Sequence, residues 1–430
     1  MATAARRCAY AVTRRVFERD SYTDLAFRAE AQRHELDARD RAFAMRLSYG
    51  VVQRCRTIDH VLDGMSDRPV DKLDPPLIAA LRVGAYQLLY MDGVADHAAV
   101  TESVDLAREA GSRGHGLVNA VLRRVAREGR AVIEGLRDTT ATEAALLHSH
   151  PDWVAQMWWE QLGPGPAREL MIADNEPAES AARVNTLRAT PEEVVAELAG
   201  EGVTAVPDSS MPEGLVLGDP YDLHGSPLFA RGAVMPQARG SMMVARAVDP
   251  QPGERVLDLC AAPGAKTTHL AALMGDEGEI VAVELDPRRA RDVARNAERL
   301  GTSIVEVVVG DAAVPAFGTG YDRVLVDPPC SDLGTLRSRP DARWRKSPGQ
   351  VAELAGLQSR ILDAAVGALR PGGRLVYSTC TISPRENEEQ MDALLARHEG
   401  LTAIDRPFVQ TLPHRDHTDG FFIATFTKHE

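Results

Sequence analysis

The stretch from Tyr321 to Asp332, which reads YDRVLVDPPCSD, decides the fold of this chain. It holds a short apolar run, Val324 to Val326, that stops at two prolines. Such a run is typical of a strand buried in a parallel sheet, and proline ends it because proline has no N–H to donate to the sheet. Asp327 and Cys330 follow directly, and ligands of open α/β sheets bind at the carboxyl ends of strands. We therefore expect this strand to deliver a carboxylate and a thiol to a site.

A second strand-like run further along the chain has the same arrangement. Arg374 to Thr379 reads RLVYST, and Cys380 follows it. Because the carboxyl ends of parallel strands lie at one edge of a sheet, we expect both thiols at that edge.

The region around these two runs alternates between strand-like and helix-like segments. From Gln237 onward, short apolar runs such as Val256 to Cys260 and Glu279 to Leu285 are separated by helical patterns of about a dozen residues. This alternation predicts an α/β fold, with a Rossmann-like, doubly wound parallel sheet over residues 241–430.

The rest of the chain divides into two further parts. Residues 1–140 show helical spacing of apolar residues, as at Leu77, Leu81 and Leu88, which predicts an all-α domain. Residues 148–240 mix short strands with short helices and predict a small α+β connecting module.

Composition limits the class of protein. The 430 residues include five cysteines, an odd number without a CxxC pair. This pattern is evidence against a disulfide scaffold or a zinc ribbon, and it favours a reducing, cytoplasmic compartment and no metal. We find no apolar run long enough for a membrane span.

One short segment concentrates positive charge. The chain carries a net charge of −13, yet residues 337–346 hold five basic residues and one acid. Binding to nucleic acid depends on local rather than total charge, although such a run is often only a solvated face. The candidate RNA-binding residues are Arg337, Arg339, Arg343, Arg345 and Lys346.

The turn after the first predicted strand of the α/β region consists of small residues. It reads CAAPGAKT and precedes a helix, so a ligand can approach its backbone closely. A dinucleotide fingerprint and a P-loop both need glycines that are missing here. An S-adenosyl-L-methionine site fits better, and its candidate residues are Cys260, Ala261, Ala262, Pro263, Gly264, Ala265 and Lys266.

Acidic residues follow the next predicted strands in the same register. Glu284 is placed to bind the ribose hydroxyls of such a donor, and Asp311 is placed beside its adenine. Asp327 is a further acid at the same edge. Each acid alone could be a loop or cap residue, but together they favour a cofactor site.

Two thiols and an acid match the needs of one reaction. Carbon 5 of a pyrimidine becomes nucleophilic when a thiolate adds to carbon 6, and an acid at the ring's N3 assists that addition. Asp327 is the candidate for the N3 role, and a second base must later remove the carbon-5 proton.

The motifs DLCAAPGAKT, VDPPCSD, YSTCT with PRENEE, and DGFF resemble the RsmB (Fmu/Sun) family of RNA cytosine-C5 methyltransferases, in particular its bacterial branch acting on 16S rRNA. The resemblance implies a NusB-like RNA-binding domain at the N-terminus, Cys380 as nucleophile and Cys330 as the group that assists release. It also implies that S-adenosyl-L-methionine binds at Cys260 to Lys266, Glu284, Asp311 and Asp327.

Two positions depart from the pattern of that family. Ala265 stands where a second glycine is common, and a left-handed conformation there would cost about 1 kcal/mol. Asp332 stands where a small residue usually follows Cys-Ser, close to the predicted thiols. The alternative to an enzyme is a non-catalytic RNA-binding or ribosome assembly factor that retains the fold.

Overall fold

The structure is a computed structural model that describes residues 1–218, 221–404 and 408–429. The chain forms two compact units. The first consists of Met1–Pro177 together with Thr335–Arg345, and the second consists of Ala178–Gly334 and Lys346–Glu430.

The first unit is built from helices, as the sequence predicts. Its helix α4 begins after Asp74, the N-cap residue, and has Pro75 in its first turn, where the missing N–H of proline costs nothing. Leu77, Leu81 and Leu88 are buried in one apolar core shared with the neighbouring helices. The helices are α1 Ala4–Arg19, α2 Thr23–Arg33, α3 Ala38–Met65, α4 Pro75–Tyr90, α5 Asp96–Glu109, α6 His115–Glu134, α7 Ala141–Leu147, α8 Asp152–Leu162 and α9 Pro164–Ala173.

The second unit begins with a small antiparallel sheet in the order β2-β3-β1-β4. Its strands are β1 Ser180–Val184, β2 Ala205–Pro207, β3 Gly214–Leu217 and β4 Val234–Pro236, accompanied by α10 Pro191–Gly200 and α11 Pro227–Ala230. The mixed α+β character matches the sequence prediction, while α8 and α9, predicted within the same module, belong to the first unit.

The remainder of the second unit contains the larger sheet. Its strands are β5 Arg255–Leu259, β6 Glu279–Glu284, β7 Val305–Val309, β8 Tyr321–Val326, β9 Leu369–Thr379, β10 Leu401–Ala403, β11 Val409–Gln410 and β12 Phe422–Lys428. The accompanying helices are α12 Arg239–Val248, α13 Ala265–Leu273, α14 Pro287–Leu300, α16 Pro348–Ala368, α17 Glu388–Arg397 and α18 Pro413–Asp416. The short helix α15, Ala342–Arg345, belongs to the first unit.

The strand order of the larger sheet is β10-β12-β9-β8-β5-β6-β7, with β11 paired to β12. Strands β5 to β9 are parallel, which confirms the doubly wound arrangement, but β12 pairs antiparallel with β9. Val256, Leu257, Val324 and Leu325 are fully buried because helices cover both faces of the sheet. The carboxyl ends of β5, β6, β8 and β9 therefore meet at one edge.

Strand β9 is longer than its sequence pattern predicts. It starts at Leu369 rather than near Arg374, and it passes through Pro371 and the left-handed Gly372. Its register with β8 shifts between Tyr321 and Arg323. A bulge of this kind accommodates proline and glycine that would otherwise end a strand.

Across the described ranges, no helix combines the length and the apolar character that crossing a membrane requires.

Candidate active site

The turn between β5 and α13 brings the backbone close to a neighbouring helix. Gly264 has φ of +93°, and a Cβ there would lie 3.1 Å from the Cα of Val293 on α14. Cys260, at the start of the turn, also has a positive φ of 67°. Ala265 is instead the first residue of α13, so the expected strain at that position is absent. The turn is shaped by its backbone and leaves no room for larger side chains at Gly264.

Buried carboxylates line this turn. Glu284, at the end of β6, is 4% exposed and accepts a hydrogen bond from the N–H of Ala262 in the turn, at 3.3 Å. Asp258 on β5 is also buried and accepts from Thr267 at 2.6 Å, while its Oδ1 has no partner. Burial, reinforced by the charge of Asp327, raises the pKa of Asp258 to about 7. A buried acceptor without a donor fits a ligand that brings one, such as the amino group of S-adenosyl-L-methionine.

Asp311 follows β7 at the same edge. It is exposed, and its carboxylate accepts a hydrogen bond from the N–H of Ala313 at 2.9 Å. This hydrogen bond joins residues two apart in the loop. Asp311 therefore also stabilises the loop locally, as an acid in any loop can.

Asp327 links the turn to the thiol side of the edge. Its Oδ2 accepts from the Nζ of Lys266 at 2.7 Å, and its Oδ1 accepts from the Oγ of Ser378 at 2.8 Å. Burial opposes the charge on Lys266, but the acidic groups around it, with Asp327 the foremost, outweigh burial and raise the pKa of the lysine. Lys266 is therefore a charged residue held between Asp327 and the ring of Phe421, whose centre lies 5.3 Å away.

The structure places the two thiols in contact. The Sγ atoms of Cys330 and Cys380 are 3.4 Å apart, as expected for loops that follow adjacent parallel strands β8 and β9. Cys330 is 6% exposed, and Cys380 is partly exposed. Cys380 also donates to Oδ1 of Asp332 at 3.3 Å. Asp332, which the sequence places close to the predicted thiols, therefore contacts Cys380 directly.

A buried glutamate connects the loop of Cys330 to neighbouring elements. Glu386 is fully buried. Its carboxylate accepts hydrogen bonds from the N–H of Ser331 at 2.9 Å and from the hydroxyl of Ser331. Gln358 on α16 donates to the same carboxylate at 3.0 Å and to the carbonyl of Pro329 at 3.0 Å. Burial raises the pKa of Glu386. The glutamate thus holds both residues that flank Cys330 in sequence, Ser331 directly and Pro329 through Gln358.

The next residue, Asn387, forms hydrogen bonds to both residues that flank Cys380 in sequence. Its Oδ1 accepts from the hydroxyl of Thr379 at 2.6 Å, and its Nδ2 donates to the carbonyl of Thr381 at 3.0 Å. Asn387 is also fully buried. The sequence showed this pair only as part of PRENEE, and their role was missed because a polar pair before a helix looks like an ordinary cap.

The predicted RNA-binding segment divides between the two units. Lys346 lies in the second unit, where its Nζ donates to the carbonyl of Cys330 at 3.4 Å. Arg337, Arg339, Arg343 and Arg345 lie in the first unit.

Arg343 does not fit the predicted contact with RNA. It is fully buried and donates to the carbonyls of Ser149 at 3.0 Å and Asp174 at 2.9 Å and to the side chain of Asn175 at 3.0 Å. Burial lowers its pKa to about 10. A buried guanidinium that collects carbonyl oxygens stabilises the fold of the first unit and is not available to a phosphate.

The other arginines of the segment also have protein partners. Arg345 pairs with Asp341 at 2.7 Å and with Asp20 at 2.9 Å. Arg337 donates to the carbonyl of Pro177 at 2.5 Å, and Arg339 is exposed. Carboxylates and carbonyl oxygens of the protein therefore offset much of the positive charge that the sequence places in residues 337–346.

The strand order, the antiparallel β12 and the small-residue turn at the edge define a methyltransferase with a Rossmann-like fold. Comparisons with known families agree with each part of the chain. The family described as 16S rRNA methyltransferase RsmB/F matches residues 245–427, the NusB family matches residues 3–127, and the ferredoxin-like domain of RsmF/B-like methyltransferases matches residues 150–224.

Individual relatives extend over the whole chain. The chain is 37% identical to the probable ribosomal RNA small subunit methyltransferase B of Synechocystis, covering 99% of each chain. It is 34% identical to ribosomal RNA small subunit methyltransferase B of Vibrio cholerae, covering 93% of this chain and 92% of the relative. Among solved structures, NSun6 from Pyrococcus horikoshii, determined with the S-adenosylmethionine analogue SFG, is 26% identical with a TM-score of 0.62, covering 66% of this chain and 100% of that one.

The chain therefore belongs to the RsmB/F family of 16S rRNA methyltransferases, which confirms the resemblance found in its sequence.

Proposed function

We propose that this protein methylates carbon 5 of a cytosine in 16S rRNA, with S-adenosyl-L-methionine as methyl donor. The observation that carries this proposal is the contact of 3.4 Å between Cys330 and Cys380 at the sheet edge that also holds the donor turn. Methylation of an exocyclic amine or a ribose hydroxyl would need no thiol, whereas carbon 5 of a pyrimidine needs a nucleophile.

The residues at the turn fit the donor. Gly264 and its small neighbours Cys260 to Pro263 allow a ligand to lie against the backbone, and Glu284 and the unpartnered Oδ1 of Asp258 offer acceptors. Asp311 completes the predicted set at the adenine end. When bound there, S-adenosyl-L-methionine supplies an electrophilic methyl group.

Cys380 acts first in this mechanism. Its thiolate adds to carbon 6 of the cytosine, forming a C–S bond while the electrons of the 5,6 double bond move into the ring. N3 takes a proton through Asp327 as that charge develops, and the proton comes from the ammonium of Lys266 across their 2.7 Å contact. Carbon 5 then takes the methyl group.

Cys330 acts second. As a thiolate it removes the proton from carbon 5, the electrons of that C–H bond restore the 5,6 double bond, and the bond to Cys380 breaks. Its distance from Cys380 allows both sulfurs to reach adjacent carbons of one ring. Two free thiols of this kind suit the cytoplasm, where cysteines stay reduced.

RNA binding is assigned to the NusB-like helical domain and to exposed basic residues, with the target base turned out of its stack to reach the thiols. Lys346 is the member of the predicted basic set that contacts the loop of Cys330, and its ammonium is assigned to a phosphate next to the target nucleotide.

The test uses two matched thiol variants incubated with S-adenosyl-L-methionine and a 16S rRNA transcript. Cys330→Ser should accumulate a covalent protein–RNA adduct that survives denaturing electrophoresis, because the bond to Cys380 forms but release is slow. Cys380→Ala should form no adduct and no 5-methylcytosine by bisulfite sequencing.

The control is Cys8→Ala, which removes a fully buried thiol of the helical unit and should methylate like the unmodified chain. An adduct in Cys380→Ala would show that Cys330 attacks. Methyl transfer by the Cys330→Ala, Cys380→Ala double variant would refute the thiol mechanism altogether.

A further inference from the structure

Three potential ligand atoms converge at the thiol pair. The Sγ atoms of Cys330 and Cys380 and a carboxylate oxygen of Asp332 all lie within 4.8 Å of one another. The two sulfurs are 3.4 Å apart, and Oδ1 of Asp332 is 3.3 Å from the sulfur of Cys380. Cys380 and Asp332 are partly exposed, so the cluster is accessible from solvent.

These separations are close to those of a tetrahedral zinc site. With Zn–S bonds of about 2.3 Å and a Zn–O bond of about 2.1 Å, two ligand sulfurs lie about 3.8 Å apart and a sulfur and an oxygen about 3.6 Å apart. The two distances that involve Cys380 are shorter than these values by a few tenths of an ångström, and the sulfur of Cys330 lies within 4.8 Å of the Asp332 oxygen, so side-chain rotations can bring the three atoms to this geometry. Two thiolates and a carboxylate are also ligands that Zn²⁺ accepts.

We propose that Cys330, Asp332 and Cys380 bind a thiophilic divalent cation such as Zn²⁺, with the fourth position open to water. Binding forms two metal–sulfur bonds and one metal–oxygen bond and releases the two thiol protons to solvent. Because both sulfurs are then occupied, the cation reversibly inhibits methyl transfer. It is an inhibitor of the proposed reaction and not a cofactor for it.

The two ammonium groups that the structure describes near the cluster both contact oxygen atoms. Lys266, the nearby ammonium, is already paired with Asp327, and Lys346 donates to the carbonyl of Cys330. With both thiols deprotonated, the three ligands together carry more negative charge than a divalent cation neutralises. Since protons are released on binding, affinity should rise with pH.

The backbone at Asp332 allows a clean test of its carboxylate. Its φ is +59°, in the left-handed region that glycine, asparagine and aspartate tolerate best. Asp332→Gly removes the carboxylate without backbone strain, and Asp332→Asn keeps the shape of the side chain while weakening its ability to bind a metal. Both variants should therefore fold, which circular dichroism and thermal melting would check.

The experiment titrates the full chain, first treated with a chelator and a reductant that does not bind metals, with Cd²⁺ as a spectroscopic probe and Zn²⁺ by calorimetry. One strong site should appear, with the near-ultraviolet absorption of cadmium–thiolate bonds. Asp332→Gly should weaken it at least tenfold, Asp332→Asn should weaken it less, and the Cys330→Ser, Cys380→Ser double variant should abolish it. That double variant retains Cys8, Cys55 and Cys260, so it reports any binding by the other thiols.

Two results would overturn the site: an affinity of Asp332→Gly within twofold of the unmodified chain, or equal binding by the double variant. Persistence of methyl transfer at saturating Zn²⁺ would overturn the inhibition. Restoration of activity by a chelator supports it. Metal binding is measured without RNA or methyl donor, so failure of the proposed function would appear separately, as absence of 5-methylcytosine in a protein that still binds the cation.

Discussion

The two sides of the catalytic edge are built in different ways. On the donor side, the turn from Cys260 to Gly264 follows a single strand, and its shape depends on backbone conformation and on the absence of side chains. On the thiol side, Cys330 and Cys380 come from separate loops, and the buried pair Glu386 and Asn387 holds the residues next to each of them. A local turn thus forms one half of the site, while long-range hydrogen bonds between side chains form the other.

The largest effect that this comparison predicts is at Glu386. Glu386→Ala should lower kcat for methyl transfer about 100-fold, because small displacements of reacting groups have effects of that size. It should also lower the free energy of unfolding by about 3 kcal/mol, because the N–H of Ser331 and the amide of Gln358 lose their buried acceptor. The Kd for the methyl donor, measured by calorimetry, should change less than twofold.

The matched variant Glu386→Gln keeps one acceptor oxygen and most of the volume, and it should recover part of the lost kcat. If Glu386→Ala weakened donor binding as much as it lowered kcat, the two sides of the edge would not be separable, and the comparison would be wrong.

A smaller effect is expected from Asp258 on the donor side. Its pKa is about 7 in the folded chain and near 4 when unfolded, so between these values the folded state binds the additional proton. The free energy of unfolding should therefore fall as pH rises from about 5 to about 7, by an amount on the order of 2 kcal/mol. Denaturant unfolding of the donor-free protein at pH 5 and pH 7 measures this change.

Asp258→Asn cannot ionise and should flatten that pH dependence. An equal slope in the variant and in the unmodified chain would assign the pH dependence to other groups. Asp332→Asn is a suitable control, since it removes a carboxylate from the thiol side of the same edge.

The smallest effect is expected at Gly264. Gly264→Ala should raise the Kd for the donor about tenfold, because a methyl group would meet Val293 and because alanine in a left-handed conformation costs about 1–2 kcal/mol. Gly253→Ala is the control, since Gly253 has a similar φ of +85° with nothing within 4 Å of the added carbon. Gly253→Ala should lower the melting temperature, because alanine is strained in the left-handed conformation. It should leave the Kd for the donor unchanged. Equal donor affinity in both variants would mean that space at the turn does not limit binding.

The donor side could be predicted from the sequence in more detail than the thiol side. The turn CAAPGAKT and the acids after β6 and β7 are local features, and their positions at the sheet edge follow from strand ends. The ion pair between Lys266 and Asp327 and the unpartnered oxygen of Asp258 were not predicted, because they depend on which strand lies next to β5.

Arginine 343 shows the limit of local charge as a guide. In sequence, Arg343 belongs to a basic run and predicts contact with phosphate. In the structure, segment 335–345 belongs to the helical unit, and carbonyl oxygens of Ser149 and Asp174 surround the guanidinium. The hydrogen-bond partners of Arg343 are far from it in sequence. The residues next to it in the chain therefore do not reveal that it is buried.

The sequence by itself determined the alternation of strands and helices, the strand ends on which Asp327, Cys330 and Cys380 lie, and the family. Those features depend on hydrophobic period, on proline at strand ends and on short motifs, all of which are local. Only the tertiary structure decided that Glu386 and Asn387 hold the two thiol loops, that Asp332 contacts Cys380, and that Arg343 is buried. The physical reason is that hydrogen bonding and burial depend on distances between groups far apart in the chain, which the fold sets and the local sequence does not.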